Sequence, residues 1–241
     1  MPPNPTFTRV TPHIYKLDLP FFGGRLPVGV WLVQNAEGWV VVDAGAPPFE
    51  KLILEETLKQ TGGERPHLLI LTHGHLDHAA AAQLMRDEWE LLIAAGRDEI
   101  PYLIGSERYR RIPARSLLYG LMQGSPPALF GRNVQRPLDE GMRLDGLEVF
   151  HVPGHAPGMV ALLHHEDRAL ICGDAFTNLG GKLGDPLAPF TYDMPLNHQS
   201  QARLVELDFD HLLVSHGPPL MNDGRAKARA LVEGRGKKKS K

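Results

Sequence analysis

The segment Thr72-His73-Gly74-His75-Leu76-Asp77-His78 places three histidines and one aspartate within six residues. It directly follows the apolar run 68–71 and directly precedes the alanine-rich run 79–85. A short apolar run is typical of a buried strand, and an alanine-rich run is typical of a helix. The sequence therefore predicts that this polar cluster occupies a loop between a strand and a helix.

The spacing of the polar residues in this loop allows them to reach two points. Side chains two residues apart in an extended chain lie on the same side, so His73 and His75 can converge. Asp77 and His78 lie where the helix begins, and the change in backbone direction turns them towards a second point. Imidazole suits zinc, iron and copper, and a carboxylate extends the choice to manganese. The loop therefore predicts ligands for two metal ions.

The composition predicts an ordinary globular protein. A chain of 241 residues with 42% hydrophobic content can bury a sizeable core, and a net charge of -2 provides no general attraction to nucleic acid or anionic membrane. The one cysteine, Cys172, lies in an apolar run, and no run approaches the ~18 apolar residues of a membrane span. We expect a cytoplasmic monomer or homodimer with a small-molecule substrate and neither nucleic-acid nor membrane partners.

Four further strand patterns end in a histidine or an aspartate near a glycine: Asp43, His155, Asp174 and His216. The two halves of the chain are alike in this respect, as in 42–45 and 172–175. Two similar β-rich halves that pack face to face with helices outside would place these strand ends along one edge. We therefore predict an α/β protein with a four-layer αβ/βα sandwich. Asp43 could accept a hydrogen bond from a metal-bound histidine or only cap the following turn.

The domain organisation predicted from these patterns is a single domain over residues 1–233. A small helical insertion at about 97–131 could cover the substrate site or pack on the outer face of a sheet. The basic composition of 234–241 predicts a disordered tail. Phe22 lies beside a glycine pair, in a loop that could overhang a pocket or form a simple hairpin tip.

The ordered set of motifs resembles the metallo-β-lactamase superfamily. The resemblance extends from about Val28 to Gly217 and rests on four segments, which are Thr-His-Gly-His-Leu-Asp-His at 72–78, Pro-Gly-His at 153–155, Gly-Asp at 173–174 and Ser-His-Gly at 215–217. It implies two divalent metal ions, zinc first, with iron or manganese as alternatives. His73, His75 and His155 would hold one ion. Asp77, His78 and His216 would hold the other, and Asp174 would bridge them.

The resemblance also implies a hydrolase in which a metal-bridging hydroxide cleaves a lactone, ester or thioester. In the β-lactamases of the superfamily the bridging aspartate is generally absent, so Asp174 argues against antibiotic hydrolysis. Glyoxalase II has the same ligands but adds a helical domain, whereas 25 residues follow His216 here. The Gly-Cys-Gly-Arg signature of glyoxalase II is absent from 176–182. The long insertions of the nucleases are absent as well.

Compact hydrolases such as the lactonases therefore fit best, with a glyoxalase II-like thioesterase or an iron-dependent persulfide dioxygenase-like oxidoreductase as alternatives. Lactonases often place a tyrosine beside the metals. Tyr192 and Tyr119 are candidates for that role, although either could serve packing alone. The predicted catalytic residues are Asp77, Asp174 and Tyr192. The predicted substrate contacts are Phe22, Tyr119 and Tyr192.

Overall fold

The computed structural model describes residues 5–109 and 134–238, and its strands form two main sheets. The first sheet has seven strands in sequence order: β1 Thr8–Arg9, β2 Ile14–Leu19, β3 Val28–Asn35, β4 Gly38–Val42, β5 Leu68–Leu71, β6 Leu92–Gly96 and β7 Arg136–Leu138. The second has the order β14-β11-β10-β9-β8: β8 Arg143–Leu144, β9 Leu147–His151, β10 Val160–His164, β11 Ala169–Ile171 and β14 His211–Leu213. A separate hairpin pairs β12 Thr177–Leu179 with β13 Lys182–Gly184.

Within residues 5–109 and 134–238, six α-helices and four short 3-10 turns connect these strands. The helices are α1 Glu50–Gln60, α2 Leu76–Ala79, α3 Ala82–Trp89, α4 Ile100–Leu103, α5 Met194–Leu204 and α6 Gly224–Lys238. The 3-10 turns are Phe21–Gly24, Arg97–Glu99, Gly173–Ala175 and Ala188–Phe190. Within the described ranges, no helix has the length and apolar character needed to cross a membrane.

Three apolar cores separate four layers, which confirms the predicted αβ/βα sandwich. Between the two sheets, Trp31 and Ile70 pack with Leu162 and Ile171. The opposite face of the first sheet packs against α1 and α3, and that of the second packs against α5 and α6. The apolar run of β5 is buried on both faces of its sheet, as expected for a central parallel strand.

The strand directions place the loops of interest at one edge of the sandwich. Strands β4, β5 and β6 are parallel, so the loops that follow them leave from the same edge. In the second sheet β11 is parallel to β14, and both β9 and β11 are antiparallel to β10. The chain therefore leaves β9, β11 and β14 in one direction. The carboxyl ends of these strands carry the predicted metal-binding motifs.

One segment differs from the sequence expectation, and another is described only in part. The basic composition of 234–241 predicts disorder from residue 234, but α6 continues to Lys238, and the guanidinium of Arg235 contacts the carboxylate of Asp185. That ion pair ties the end of the helix to the loop after β13. In the insertion predicted at about 97–131, residues 97–103 form a 3-10 turn and α4. Residues 110–131 of that prediction lie outside the described residues.

Candidate metal centre

Seven side chains from four loops and the short helix α2 meet at the edge defined above. The loop after β5 carries His73 and His75, α2 carries Asp77 and His78, and the loops after β9, β11 and β14 carry His155, Asp174 and His216. None of the seven is more than 5% exposed. All seven residues implied by the sequence resemblance are thus brought together in one buried cluster.

The first part of the cluster is the three-histidine group of His73, His75 and His155. The Nδ1 atom of His75 lies 3.1 Å from Nε2 of His73 and 3.0 Å from Nε2 of His155. The rings of these histidines stand nearly edge-on to one another. Three nitrogen lone pairs can therefore be directed at one ion.

The second part is the mixed group of Asp77, His78 and His216. The Oδ2 atom of Asp77 lies 3.5 Å from Nε2 of His216 and 3.9 Å from Nε2 of His78. Asp174 stands between the two groups. Its Oδ1 is 3.5 Å from Nε2 of His78, and its Oδ2 is 2.9 Å from Nε2 of His216 and 3.4 Å from Nε2 of His155. One carboxylate can therefore serve both groups.

Two buried atoms of the cluster support its fitness for metal ions. Among the described residues, His78 Nε2 and Asp174 Oδ1 have no hydrogen-bond partner, although neither is accessible to solvent. A buried polar atom without a partner carries a free-energy cost that a bound cation would remove. Five imidazoles and two carboxylates are also the donor types that zinc and iron prefer. The residues present therefore fit a pair of divalent cations.

The electrostatics of the three-histidine group favour neutral imidazoles. Burial, with the nearby positive charges of other histidines, holds the pKa of His73 well below its usual range. Burial is also the main cause that lowers the pKa of His75 and of His155 to about 3. Neutral imidazole is the form that binds metal, so no proton need be displaced there.

The mixed group has the opposite electrostatics. Burial would lower the pKa of His78, but the carboxylates of Asp174, Asp77 and Asp43 raise it to about 10. Burial acts likewise on His216, yet Asp174 and Asp77 leave its pKa raised. For Asp174, burial opposes ionisation, whereas His216 and His78 bring its pKa below the usual range. The positive charge of the protonated histidines offsets the negative charge of the carboxylates here, and a divalent cation would replace the protons.

A buried network of hydrogen bonds orients one histidine of each group. The Oδ2 atom of Asp43 accepts a hydrogen bond from Nδ1 of His78 at 2.8 Å, and its Oδ1 accepts one from the backbone amide of Thr72 at 2.8 Å. The hydroxyl of Thr72 donates to Asp43 and lies 3.0 Å from Nδ1 of His73, from which it can accept. Of the two roles open for Asp43, the structure therefore supports the orientation of a cluster histidine.

Other histidines of the cluster are held by backbone and hydroxyl groups. Nδ1 of His216 donates to the carbonyl of Pro27 at 2.9 Å, and Nδ1 of His155 lies 3.3 Å from the hydroxyl of Thr191. These contacts leave Nε2 of each ring free to face Asp174. The orientation of the rings is thus set before any ligand binds.

A small pocket opens above the cluster. Its polar floor consists of His75, Asp77, His155, Asp174 and His216. Its wall consists of Leu26, Thr177, Leu187 and Phe190. These wall residues were not predicted from the sequence, although a leucine and a phenylalanine in the Gly/Pro-rich stretch 184–190 were a usable signal. An apolar wall over a polar floor can hold a substrate with an apolar group beside its reactive bond.

The predicted substrate contacts have different outcomes. Tyr192 is half-buried, its backbone amide donates to the carbonyl of His155 at 3.0 Å, and it is not among the described residues that line the pocket. Phe22 is the second residue of the 3-10 turn Phe21–Gly24, but its side chain lies outside the described part of the structure. Tyr119 lies outside the described residues.

Comparisons with known proteins identify chains that are similar to this one. A family model described as the metallo-beta-lactamase superfamily matches residues 23–216, a range that contains all seven cluster residues. The probable metallo-hydrolase YflN of Bacillus subtilis is 31% identical over 213 residues, which cover 79% of this chain and 80% of that protein. The hydroxyacylglutathione hydrolase GloC of Haemophilus influenzae is 27% identical over 157 residues, which cover 62% and 68%. The crystal structure of TTHA1623 in a di-iron-bound form superposes with a TM-score of 0.63 at 30% identity, over 84% of this chain and 93% of that chain.

Proposed function

The chain belongs to the metallo-β-lactamase superfamily, and from that premise we propose that it is a hydrolase that uses two divalent cations to cleave a carboxylic ester-type bond. The bond would be that of a lactone, an ester or a thioester in a small molecule. The observation that carries this proposal is the convergence of two ligand groups on one shared carboxylate, Asp174, at the floor of a pocket.

The three-histidine group would hold one cation and the mixed group the other, with Asp174 between them. Zinc is our first choice because imidazole dominates the donor set, and the di-iron-bound relative supports iron as the alternative. When bound, such a pair of cations supplies a water molecule of lowered pKa and an electrophile for a carbonyl oxygen. Two carboxylates cannot neutralise two dications, so the centre keeps a positive charge that favours a polar, electron-rich reacting group.

The side chains of the protein position the substrate and move protons. Leu187 and Phe190 would pack against the apolar part of the substrate and exclude water from the reacting bond. Asp77 and Asp174 are the carboxylates on the pocket floor. Asp174 would hold the two cations, and we assign to Asp77 the binding of the proton released from water. The pocket lining favours Phe190 over Tyr192 as the aromatic residue in contact with the substrate.

The test is a small substrate panel with zinc-loaded protein. An N-acyl homoserine lactone, an aryl ester and S-lactoylglutathione represent the lactone, ester and thioester; the thioester is included because GloC is named a hydroxyacylglutathione hydrolase. We expect turnover of at least one substrate, its loss with a chelator and its return with added zinc. Asp174→Ala is the matched inactive control. A protein with two cations per chain and no turnover of any of the three would overturn the proposal.

A second candidate is an iron-dependent oxidoreductase at the same residues; the observation that favours it is that TTHA1623 has been crystallised in an iron-bound form. Metal analysis and oxygen uptake separate the two functions. One iron per chain together with substrate-dependent oxygen uptake would favour the oxidoreductase. Two zinc ions per chain with hydrolysis and no oxygen uptake would favour the hydrolase.

A further inference from the structure

Glu99 is a fully buried carboxylate that lies outside the cluster of seven residues. It ends the 3-10 turn Arg97–Glu99 after β6, and its side chain is inaccessible to solvent. Its Oε1 accepts a hydrogen bond from the backbone amide of Gly74 at 2.9 Å, and its Oε2 accepts one from the backbone amide of Gly158 at 2.8 Å. The hydroxyl of Tyr109 donates to Oε1 as well. All three donors are neutral groups.

The two amides belong to the two loops that carry the three-histidine group. Gly74 lies between His73 and His75, and Gly158 lies three residues after His155. The first loop leaves the seven-stranded sheet, and the second connects β9 and β10 of the other sheet. Glu99 is thus hydrogen-bonded on one side to the His73–His75 loop and on the other to the His155 loop. Its carboxylate therefore links a loop of the first sheet to a loop of the second sheet.

The packing around this carboxylate leaves little freedom. A Cβ atom at Gly158 would lie 2.0 Å from the backbone nitrogen of Glu99, and a Cβ atom at Gly74 would lie 2.6 Å from the hydroxyl of Tyr109. The backbone leaves no room for a Cβ atom at Gly158, and a Cβ atom at Gly74 would have to displace the hydroxyl of Tyr109. The ring of Tyr109 stands edge-on to the ring of His75 at 5.1 Å and stacks on Tyr102 at 4.7 Å.

We propose that Glu99 is a positioning residue for the three-histidine group. It fixes the separation of the two loops and thereby the affinity of that group for its cation. Two hydrogen bonds donated to one buried carboxylate hold both amides at defined distances, so the histidines beside them are placed without a bond to the imidazoles themselves. A buried carboxylate is costly unless its oxygens are hydrogen-bonded. Its presence here is explained if the two loops need that connection.

The isosteric variant Glu99→Gln tests this role. A glutamine keeps the volume of the side chain but offers one oxygen and one amino group. The amino group must face either the amide of Gly74 or that of Gly158, and two donors cannot bond to each other. One of the two loops therefore loses its connection. Tyr109→Phe removes a hydroxyl only and keeps both backbone hydrogen bonds, so its effect should be smaller.

Glu56→Gln is the matched control. Glu56 is another buried carboxylate, on α1, and Lys59 on the same helix donates a hydrogen bond to it. The same chemical change at Glu56 should alter the unfolding midpoint without altering the metal centre. The wild type and all variants are prepared as full chains and freed of metal by chelation.

Two measurements are made on each protein. Zinc affinity is determined by competition with a chromophoric chelator, and the coordination is followed by the visible absorption spectrum of the cobalt(II)-substituted protein. For Glu99→Gln we expect the affinity of the three-histidine group for its cation to fall at least about tenfold, which is the range for residues that orient metal ligands. We also expect a changed cobalt spectrum. Glu56→Gln should match the wild type in both.

The inference rests on the metal centre of the proposed function, and the two can fail separately. A wild-type chain that binds fewer than two cations would overturn the proposed dinuclear hydrolase. A wild-type chain that binds two, with a folded Glu99→Gln of the same affinity and spectrum, would overturn the positioning role alone. If Glu99→Gln does not fold, Glu99→Asp provides the same comparison, because the shorter carboxylate cannot reach both amides.

Discussion

Replacement of Asp43 by asparagine should weaken metal binding while leaving the fold intact. Asp43 is inaccessible to solvent and has a φ of 62°, a left-handed conformation that asparagine adopts as readily as aspartate. The change therefore adds no backbone strain. Asparagine keeps one oxygen, which the adjacent amide and hydroxyl of Thr72 can retain, and it turns an amino group towards His78.

The consequence follows from the tautomer of His78. An amino group at 2.8 Å would donate to Nδ1 of His78 and favour the proton on Nε2, the atom that faces Asp174. Loss of a hydrogen bond to a buried charged group costs roughly 1.5–3 kcal/mol. Taking about 2 kcal/mol, we expect the affinity of the mixed group for its cation to fall roughly 30-fold.

The assay is zinc competition with a chelator, with elemental analysis after dialysis. Asp167→Asn is the matched control, because Asp167 is also a buried carboxylate that binds a histidine but lies in the β10–β11 turn, at the end of those strands opposite the cluster. The control should lose stability and keep wild-type zinc affinity. Two cations bound by Asp43→Asn with wild-type affinity would refute the tautomer argument.

Three further predictions concern the bridging residue, the pocket wall and acid stability. Asp174→Ala should retain at most one cation per chain by elemental analysis, since its carboxylate faces both groups; two cations at wild-type affinity would contradict its bridging position. Phe190→Ala should raise KM about tenfold for a substrate with an apolar acyl group and change kcat less, because it removes roughly 1.5 kcal/mol of apolar contact; unchanged steady-state kinetics would exclude a substrate contact. Burial acts to raise the pKa of Asp167, but hydrogen bonds from Thr11 and His13 bring it below its ordinary value of 3.8. A carboxyl group whose pKa is lower in the folded state stabilises the fold at pH values above its unfolded-state pKa, and this stabilisation is lost as pH falls through the folded-state pKa. The difference in free energy of unfolding between wild type and Asp167→Asn, measured with urea, should therefore shrink below about pH 4. A difference that does not vary with pH would argue against that linkage.

Much of the fold could be predicted from local patterns. The strands β3, β4, β5, β9 and β10 coincide closely with apolar runs, because a strand buried on one or both faces must be apolar along its length. The helix after the 72–78 segment, predicted as one element, consists of α2 and α3 separated by residues 80 and 81. Helix α5 begins at Met194, with Asp193 as its N-cap. That cap, followed by proline in the first turn, was a signal in the sequence.

The environment of the cluster was beyond prediction from local patterns. Asp43 could be interpreted in two ways until its hydrogen bond to His78 was seen. Glu99 lies 25 residues from Gly74 and 59 residues from Gly158, and no spacing in the chain indicates that one carboxylate bonds to both. The wall residue Leu26 lies in the loop before β3, and nothing in the neighbouring sequence indicates that it joins the pocket.

The sequence by itself determined which atoms are available for metal binding, because the covalent chain fixes the types of residue and the local spacing of histidine and aspartate. It also determined the layers, since strand and helix periodicities are local. The tertiary structure decided which of these side chains are buried together, which carboxylates hold them and what lines the space above. These depend on strand ends far apart in the chain meeting at one edge, a relation set by the packing of two sheets rather than by any neighbouring residue.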